Sequence, residues 1–203
     1  MQSLKDKFDE LRHRLGQARA IDSTGTEPIF YLVFSVSEIV EAKRQTKAWI
    51  ASLRNSGWEV EVLSMADAVE TVFRGHKLRK LWLSTERELI AQTEKASASI
   101  DFRPIKKTLE KALAENSQLT PEFAAVIDAK LTAAESHANG LLLITDLEAL
   151  HPYLRINAIE ARMQGRLRCP VVVLYPGKRE GKTSLRFLEF YPADPNYRSE
   201  HIG

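Results

Sequence analysis

Two short runs in the last third of the chain, Leu141 to Ile144 and Val171 to Leu174, are apolar at every position. A strand with one wet face alternates apolar and polar residues, so a run without alternation must be covered on both faces. The first run follows Gly140 and the second follows Cys169-Pro170, with a loop and helix-type sequence between them. This order, strand, helix, strand, is that of a parallel sheet packed between helices.

The earlier chain fits the same plan. Leu4, Phe8, Leu11 and Leu15 form a helical stripe that ends at Gly16. Ser23 to Thr26 is a loop, and Pro28 introduces the aromatic and β-branched segment Ile29 to Val36, read as the first and most central strand. Ser35 and Glu38 have capping-box spacing, and Ile39, Thr46, Trp49, Ile50 and Leu53 give the stripe of the next helix. Asn55-Ser56-Gly57 closes that helix, and Trp58, Val60 and Val62 alternate with glutamates as in an edge or half-exposed strand. Helices follow from Ser64, with a break at Gly75 and a further stripe of Leu78, Leu81, Trp82, Leu89 and Ile90. Ala96 to Ser99 and Pro104 mark a linker, and Thr120-Pro121-Glu122 is a strong helix start. The fold expected is α/β and Rossmann-like. It comprises a mainly parallel sheet of about five strands, a C-terminal β-hairpin and a helical insertion at about residues 64–139, all in one domain spanning 1–203.

The segment Gly177-Lys178-Arg179-Glu180-Gly181-Lys182-Thr183 invites comparison with a phosphate loop. That loop needs four residues between its first glycine and the Gly-Lys pair, and a helix starting at the Lys-Thr. Here three residues intervene, Pro176 has no N–H to offer, and Thr183 to Tyr191 alternates as a strand that Pro192 ends. A hairpin with a basic tip is the better reading, its glycines supplying positive φ angles.

A net charge of +2 is too mild to argue for nucleic acid. The single cysteine, Cys169, excludes an intrachain disulfide and a CxxC zinc pattern, and its place before a buried strand suits a small core hydrophobe. The five histidines are scattered, so no metal or cofactor is expected. No apolar run approaches membrane-spanning length, the N-terminus is a charged amphipathic segment, and a cytoplasmic protein is expected.

Open α/β sheets bind ligands beyond the carboxyl ends of their strands. That edge should carry Ser35, Ser37, Asp146, Glu148, His151, Tyr153, Arg155 and Lys178. In an enzyme, Asp146 or His151 would be a general base and Arg155 an anion clamp. In a structural reading, Asp146 or Thr145 closes a turn and Arg155 pairs with a carboxylate. One histidine without a nucleophile beside it favours the second, and no catalytic residue is assigned. His151, Tyr153, Arg155, Lys178 and Arg179, with Tyr197 and Arg198 near the C-terminus, are instead candidates for a partner-binding face, because Tyr and Arg commonly anchor interfaces. Arg74, Lys77, Arg79 and Lys80 form a second, basic candidate. Without interleaved aromatics it suits at most weak contact with nucleic acid, and a solvated helix face is its plainer reading.

The order of elements resembles a known family. The sequence Leu4-Lys5-Asp6-Lys7-Phe8, the aromatic first strand and Asn55 to Val62 are followed by Leu141 to Thr145 running into His151-Pro152-Tyr153-Leu154-Arg155. Pro170 to Gly177 and Asp194-Pro195-Asn196-Tyr197-Arg198 complete it, mainly over residues 28–64 and 140–198. This resembles the BrxB family of BREX (bacteriophage exclusion) islands. The resemblance implies a non-catalytic component of a phage-defence system that marks host DNA by adenine methylation. It implies a PglZ-type protein as first partner, with a PglX-type methyltransferase and a BrxC-type ATPase as others. An adaptor subunit, a nucleic-acid-binding accessory and a nucleotide-binding enzyme are the three functions weighed, in that order.

Overall fold

The computed structural model describes residues 2–20, 29–96, 103–116, 118–181, 184–193 and 199–203. Helix α1 (Leu4–Ala20) precedes strand β1 (Ile29–Phe34), helix α2 (Ile39–Asn55) and strand β2 (Glu59–Ser64). Helices α3 (Met65–Gly75), α4 (Arg79–Ala96) and α5 (Arg103–Leu113) lead to a two-residue ribbon, β3 (Ala114–Glu115) with β4 (Gln118–Leu119). Helix α6 (Pro121–Glu135), strand β5 (Gly140–Thr145), helix α7 (Ile156–Met163) and strand β6 (Val171–Glu180) follow, and β7 (Ser184–Phe187) and β8 (Glu200–Ile202) end the chain.

Five parallel strands lie in the order β2-β5-β6-β1-β8, and β7 pairs antiparallel with the outer end of β6. All six residues of β1 and all six of β5 are buried, as uninterrupted apolarity requires of strands covered on both faces. Alternate side chains then feed two cores. Phe30, Leu32 and Phe34 meet α1 and α2, whereas Tyr31 and Val33 meet the layer of α3, α6 and α7. The crossover from β1 to β2 runs one way across the sheet with α2 on one face, and the return through β5 to β6 uses the other face. Crossovers of one hand demand that change of face.

Local sequence explains the junctions. Thr120 caps α6 by accepting from Phe123 N–H, with Pro121 in the first turn. Gly140 starts β5 because a Cβ there would lie 1.8 Å from the Ala134 carbonyl oxygen.

Several expectations need correction. β1 is not the most central strand: β6 is, with β1 between it and β8. Apolarity reports coverage of a strand's faces and carries no information on lateral order. Gly16 does not end α1, which continues to Ala20, and Pro104 lies in the first turn of α5 instead of a linker. The strand expected over Thr183 to Tyr191 stops at Phe187, since Leu188 and Glu189 turn left-handed with φ of 50° and 61°. Gly177 has no positive φ and serves close approach instead, because a Cβ would come 2.3 Å from the Arg186 carbonyl oxygen. Gly181, at φ 68°, does take the turn conformation. The hairpin itself is present, with Lys178 opposite Arg186 and Glu180 opposite Ser184. Ser23 to Thr26, Pro28, Ser97 to Ser99, Lys182 and Thr183, and Asp194 to Arg198 lie outside the described residues.

Candidate functional site

The carboxyl ends of β1, β5 and β6 meet the entry to α2. Ser35 leaves β1 into a 3-10 turn, Val36–Glu38, which opens the helix. Such an entry offers free N–H groups to an anion. Two of them are already taken from within the chain: Ser35 N–H donates to Glu38 Oε2 at 2.9 Å, and Val36 N–H donates to Glu189 Oε1 at 3.0 Å. Glu189 arrives from the turn after β7, which thus reaches this edge of the sheet.

Beside that entry lies a cavity of about 240 Å³ floored by Phe34, Ile39, Ala42 and Leu174. Lys43 reaches into it from α2 and bridges Asp146 Oδ1 at 2.9 Å and Glu148 Oε1 at 2.5 Å. Asp146 sits at φ 57°, a left-handed conformation that Asp tolerates better than most residues. Its Oδ2 accepts from Ser64 Oγ at 2.9 Å and Thr145 Oγ1 at 2.8 Å. Burial pushes the Asp146 carboxyl up, but Lys43, Thr145 and Ser64 together outweigh it and hold the group below the usual range. Burial also works against the Lys43 charge, and Glu148 and Asp146 overcome it, so its ammonium is held above the usual range. Both charged forms are therefore favoured. A general base working near neutrality needs the opposite displacement of its carboxyl. Asp146 closes the strand-to-helix turn and locks α2 to β5.

A second feature projects from the same edge. His151 Nδ1 is hydrogen-bonded to Tyr191 Oη, and Arg155 lies over the Tyr191 ring at 4.5 Å from its centroid while donating to the Pro192 carbonyl at 3.3 Å. Phe190 stacks on Tyr191 at 4.6 Å and meets His151 edge-on at 5.4 Å. Leu188 N–H donates to the Pro176 carbonyl at 2.9 Å and ties the turn to β6. The outcome is an aromatic knob with Phe190 at its tip, 62% exposed.

The partner-face candidates do not all gather there. His151 and Arg155 do, and Arg155 meets an aromatic ring and a carbonyl rather than the carboxylate expected of it. Tyr153 turns away to pack edge-on against Phe73 at 5.7 Å, and its hydroxyl is pushed up by burial and by Glu110 and Glu86. Arg179 turns toward β8, donating to the Gly181 and His201 carbonyls, whereas Lys178 stands exposed on the hairpin. Tyr197 and Arg198 lie outside the described residues. In the basic candidate, Arg74 pairs with Glu70, and Lys77, Arg79 and Lys80 are exposed around the start of α4. Cys169 is buried and its thiol is pushed up to about 11, by burial first and by Glu135 second. Among the described residues no group of three or more His, Cys, Asp or Glu is placed to hold a metal ion, and no helix is long and apolar enough to cross a membrane.

Sequence reasoning missed Phe190, Tyr191, Glu189 and Lys43. One signal for the first three was available. With Leu185 and Phe187 facing inward, the next inward position is Glu189, and a carboxylate there breaks the strand pattern.

The molecule is thus an α/β domain with a mainly parallel five-stranded sheet between helices, its carboxyl edge partly filled by its own side chains. The family model of BREX protein BrxB matches residues 77–202, more than half of the chain. The chain belongs to the BrxB family and is a component of the BREX phage-defence system. The match takes in the later stretch of the resemblance, 140–198, and not the earlier one, 28–64. No curated protein and no solved structure gives a significant match.

Proposed function

We propose that the protein is a non-catalytic, cytoplasmic binding subunit of its BREX complex that docks on the PglZ-type component through the knob of Phe190, Tyr191, His151 and Arg155. One observation carries this reading. Phe190 is the single exposed aromatic among the described residues, and it is presented by two consecutive non-glycine residues in left-handed conformation. Each such residue costs roughly 1–2 kcal/mol, a strain that surrounding contacts must hold in place. Leu188, Glu189 and Tyr191 are each tied down, so the strain maintains a ring that touches Tyr191 and His151 and otherwise projects from the described residues. Large aromatics beside an arginine are the usual anchors of protein interfaces.

The filled anion position at the α2 entry and the displacement of Asp146 away from neutrality support binding over chemistry. The nucleic-acid reading is weaker, because the exposed neighbours of Arg79 and Lys80 are the aliphatic Leu78, Leu81 and Leu83 rather than rings for stacking.

The test uses cells carrying the whole gene cluster. Phe190→Ala combined with Arg155→Ala should leave the protein folded, abolish co-purification of the PglZ-type partner and abolish phage resistance. Co-purification at the wild-type level would place the docking face elsewhere.

A further inference from the structure

The turn that presents Phe190 is held from two sides. Toward its own hairpin, Leu188 N–H donates to the Pro176 carbonyl at 2.9 Å and Tyr191 N–H to the Phe187 carbonyl at 3.2 Å. Toward the loop after β5, Tyr191 Oη meets His151 Nδ1. Among the described residues, a single hydrogen bond joins the turn to the α2 entry, from Val36 N–H to Glu189 Oε1 at 3.0 Å. Glu189 keeps φ at 61°, where glycine or asparagine would suit the backbone better. What neither of those residues supplies is a carboxylate on a side chain of this length. The donor it reaches is one of the free N–H groups of a helix start, where an acidic side chain is favoured. The neighbouring acid, Glu38, accepts from Ser35 N–H at 2.9 Å and is faced by Lys7 at 3.7 Å, so the two carboxylates have separate donors.

We infer that Glu189 is the positioning residue of the docking face: its carboxylate, clipped to Val36 N–H, sets the direction in which Phe190 leaves the sheet edge. The inference rests on the docking reading above. Phe190 follows Glu189 directly, so anchoring the Glu189 side chain anchors the backbone from which the ring projects. Without the clip nothing hydrogen-bonds the left-handed pair to α2, and the ring loses the fixed direction that a partner pocket requires. The plainer role for Glu189, an acid that steadies a helix start, predicts a change in stability and none in partner affinity beyond it.

Three variants of the full chain separate the clip from the backbone. Glu189→Asn and Glu189→Gln introduce the same amide and differ by one methylene. Asparagine suits the left-handed backbone better and falls short of Val36, whereas glutamine keeps an acceptor at full reach. Val36→Pro deletes the donor at a first-turn position that proline suits, after a Ser35 already extended at φ −68° and ψ 157°. Each protein is titrated in a calorimeter against the purified PglZ-type partner, beside Phe190→Ala, and its urea unfolding midpoint is measured. Glu189→Asn and Val36→Pro should each bind roughly fivefold more weakly, and the double variant no more weakly than either alone. Glu189→Gln should bind within about twofold of wild type, and all midpoints should stay close together. If Phe190→Ala is weak but Glu189→Asn binds as well as Glu189→Gln, the inference falls and the docking reading stands. Additive losses in the double variant, or losses that track the midpoints, would overturn it in the same way. Phe190→Ala binding as tightly as wild type, or no binding by wild type, would overturn both.

Discussion

Asp146 is the residue whose removal should disturb the carboxyl edge most. Its carboxylate accepts from the Ser64 and Thr145 hydroxyls at 2.9 and 2.8 Å and pairs with Lys43 at 2.9 Å. Ser64 in turn caps α3 by accepting from Asp67 N–H at 3.2 Å, so Asp146 also orients a helix cap. A hydroxyl-to-carboxylate bond contributes about 1.5 kcal/mol at the lower end of the charged range, appropriate to a half-buried group. The Lys43 pair, with a side chain 51% exposed, contributes less than about 1 kcal/mol. Alanine is also about 1 kcal/mol less tolerant than Asp of the left-handed backbone at φ 57°. Asp146→Ala should therefore cost about 4 kcal/mol and lower the melting temperature by roughly 10 °C. Asp146→Asn keeps an acceptor and the backbone preference and should cost about 1 kcal/mol. The assay is urea unfolding followed by circular dichroism across pH. Asp146 is lowered in the folded state from an unfolded value near 3.8, so its contribution is fully present above that value and is lost as pH falls through the folded one. The gap between wild type and Asp146→Asn should thus hold steady near neutrality and narrow below about pH 4. A loss in Asp146→Ala no larger than in Asp146→Asn, or a gap that widens in acid, would refute the reasoning.

Three further outcomes follow from other parts of the molecule. Gly177→Ala should unpair the hairpin or block folding, since its Cβ meets backbone that cannot yield; full retention of native near-UV dichroism would contradict this. Cys169, with its thiol pushed up to about 11, should react with an aromatic disulfide reagent at about pH 8 only after unfolding, and rapid labelling of the native protein would count against its burial. Calorimetry with ATP and Mg²⁺ should show no micromolar binding, because Glu38 and Glu189 already occupy two of the N–H groups at the α2 entry with carboxylates; a saturable heat would reopen the nucleotide reading.

Much of the fold was legible because it rests on patterns that repeat. The apolar runs around Leu142 and Val172 specify strands covered on both faces, and Thr120-Pro121 and Asn55-Ser56-Gly57 punctuate helices through local hydrogen bonding. Lateral strand order was not legible, and neither was β8, because three residues, Glu200 to Ile202, give no period to read. The candidate site divided in the same way. His151 and Arg155 were found from their place after β5, but their partners Phe190 and Tyr191 looked like the end of a strand. What redirects them is the left-handed pair Leu188 and Glu189, held by contacts with Pro176 and Val36, residues distant in sequence. The place of Tyr153 was hidden for a similar reason: the ring it packs against, Phe73, lies on α3, far away in sequence.

The docking claim is tested most directly by titrating the purified PglZ-type partner with this protein and with Phe190→Ala in a calorimeter. A ring at the centre of an interface contributes 2 kcal/mol or more, so the variant should bind at least about thirtyfold more weakly at an unchanged unfolding midpoint. Equal affinities for the two proteins, or no measurable binding by either, would contradict the account.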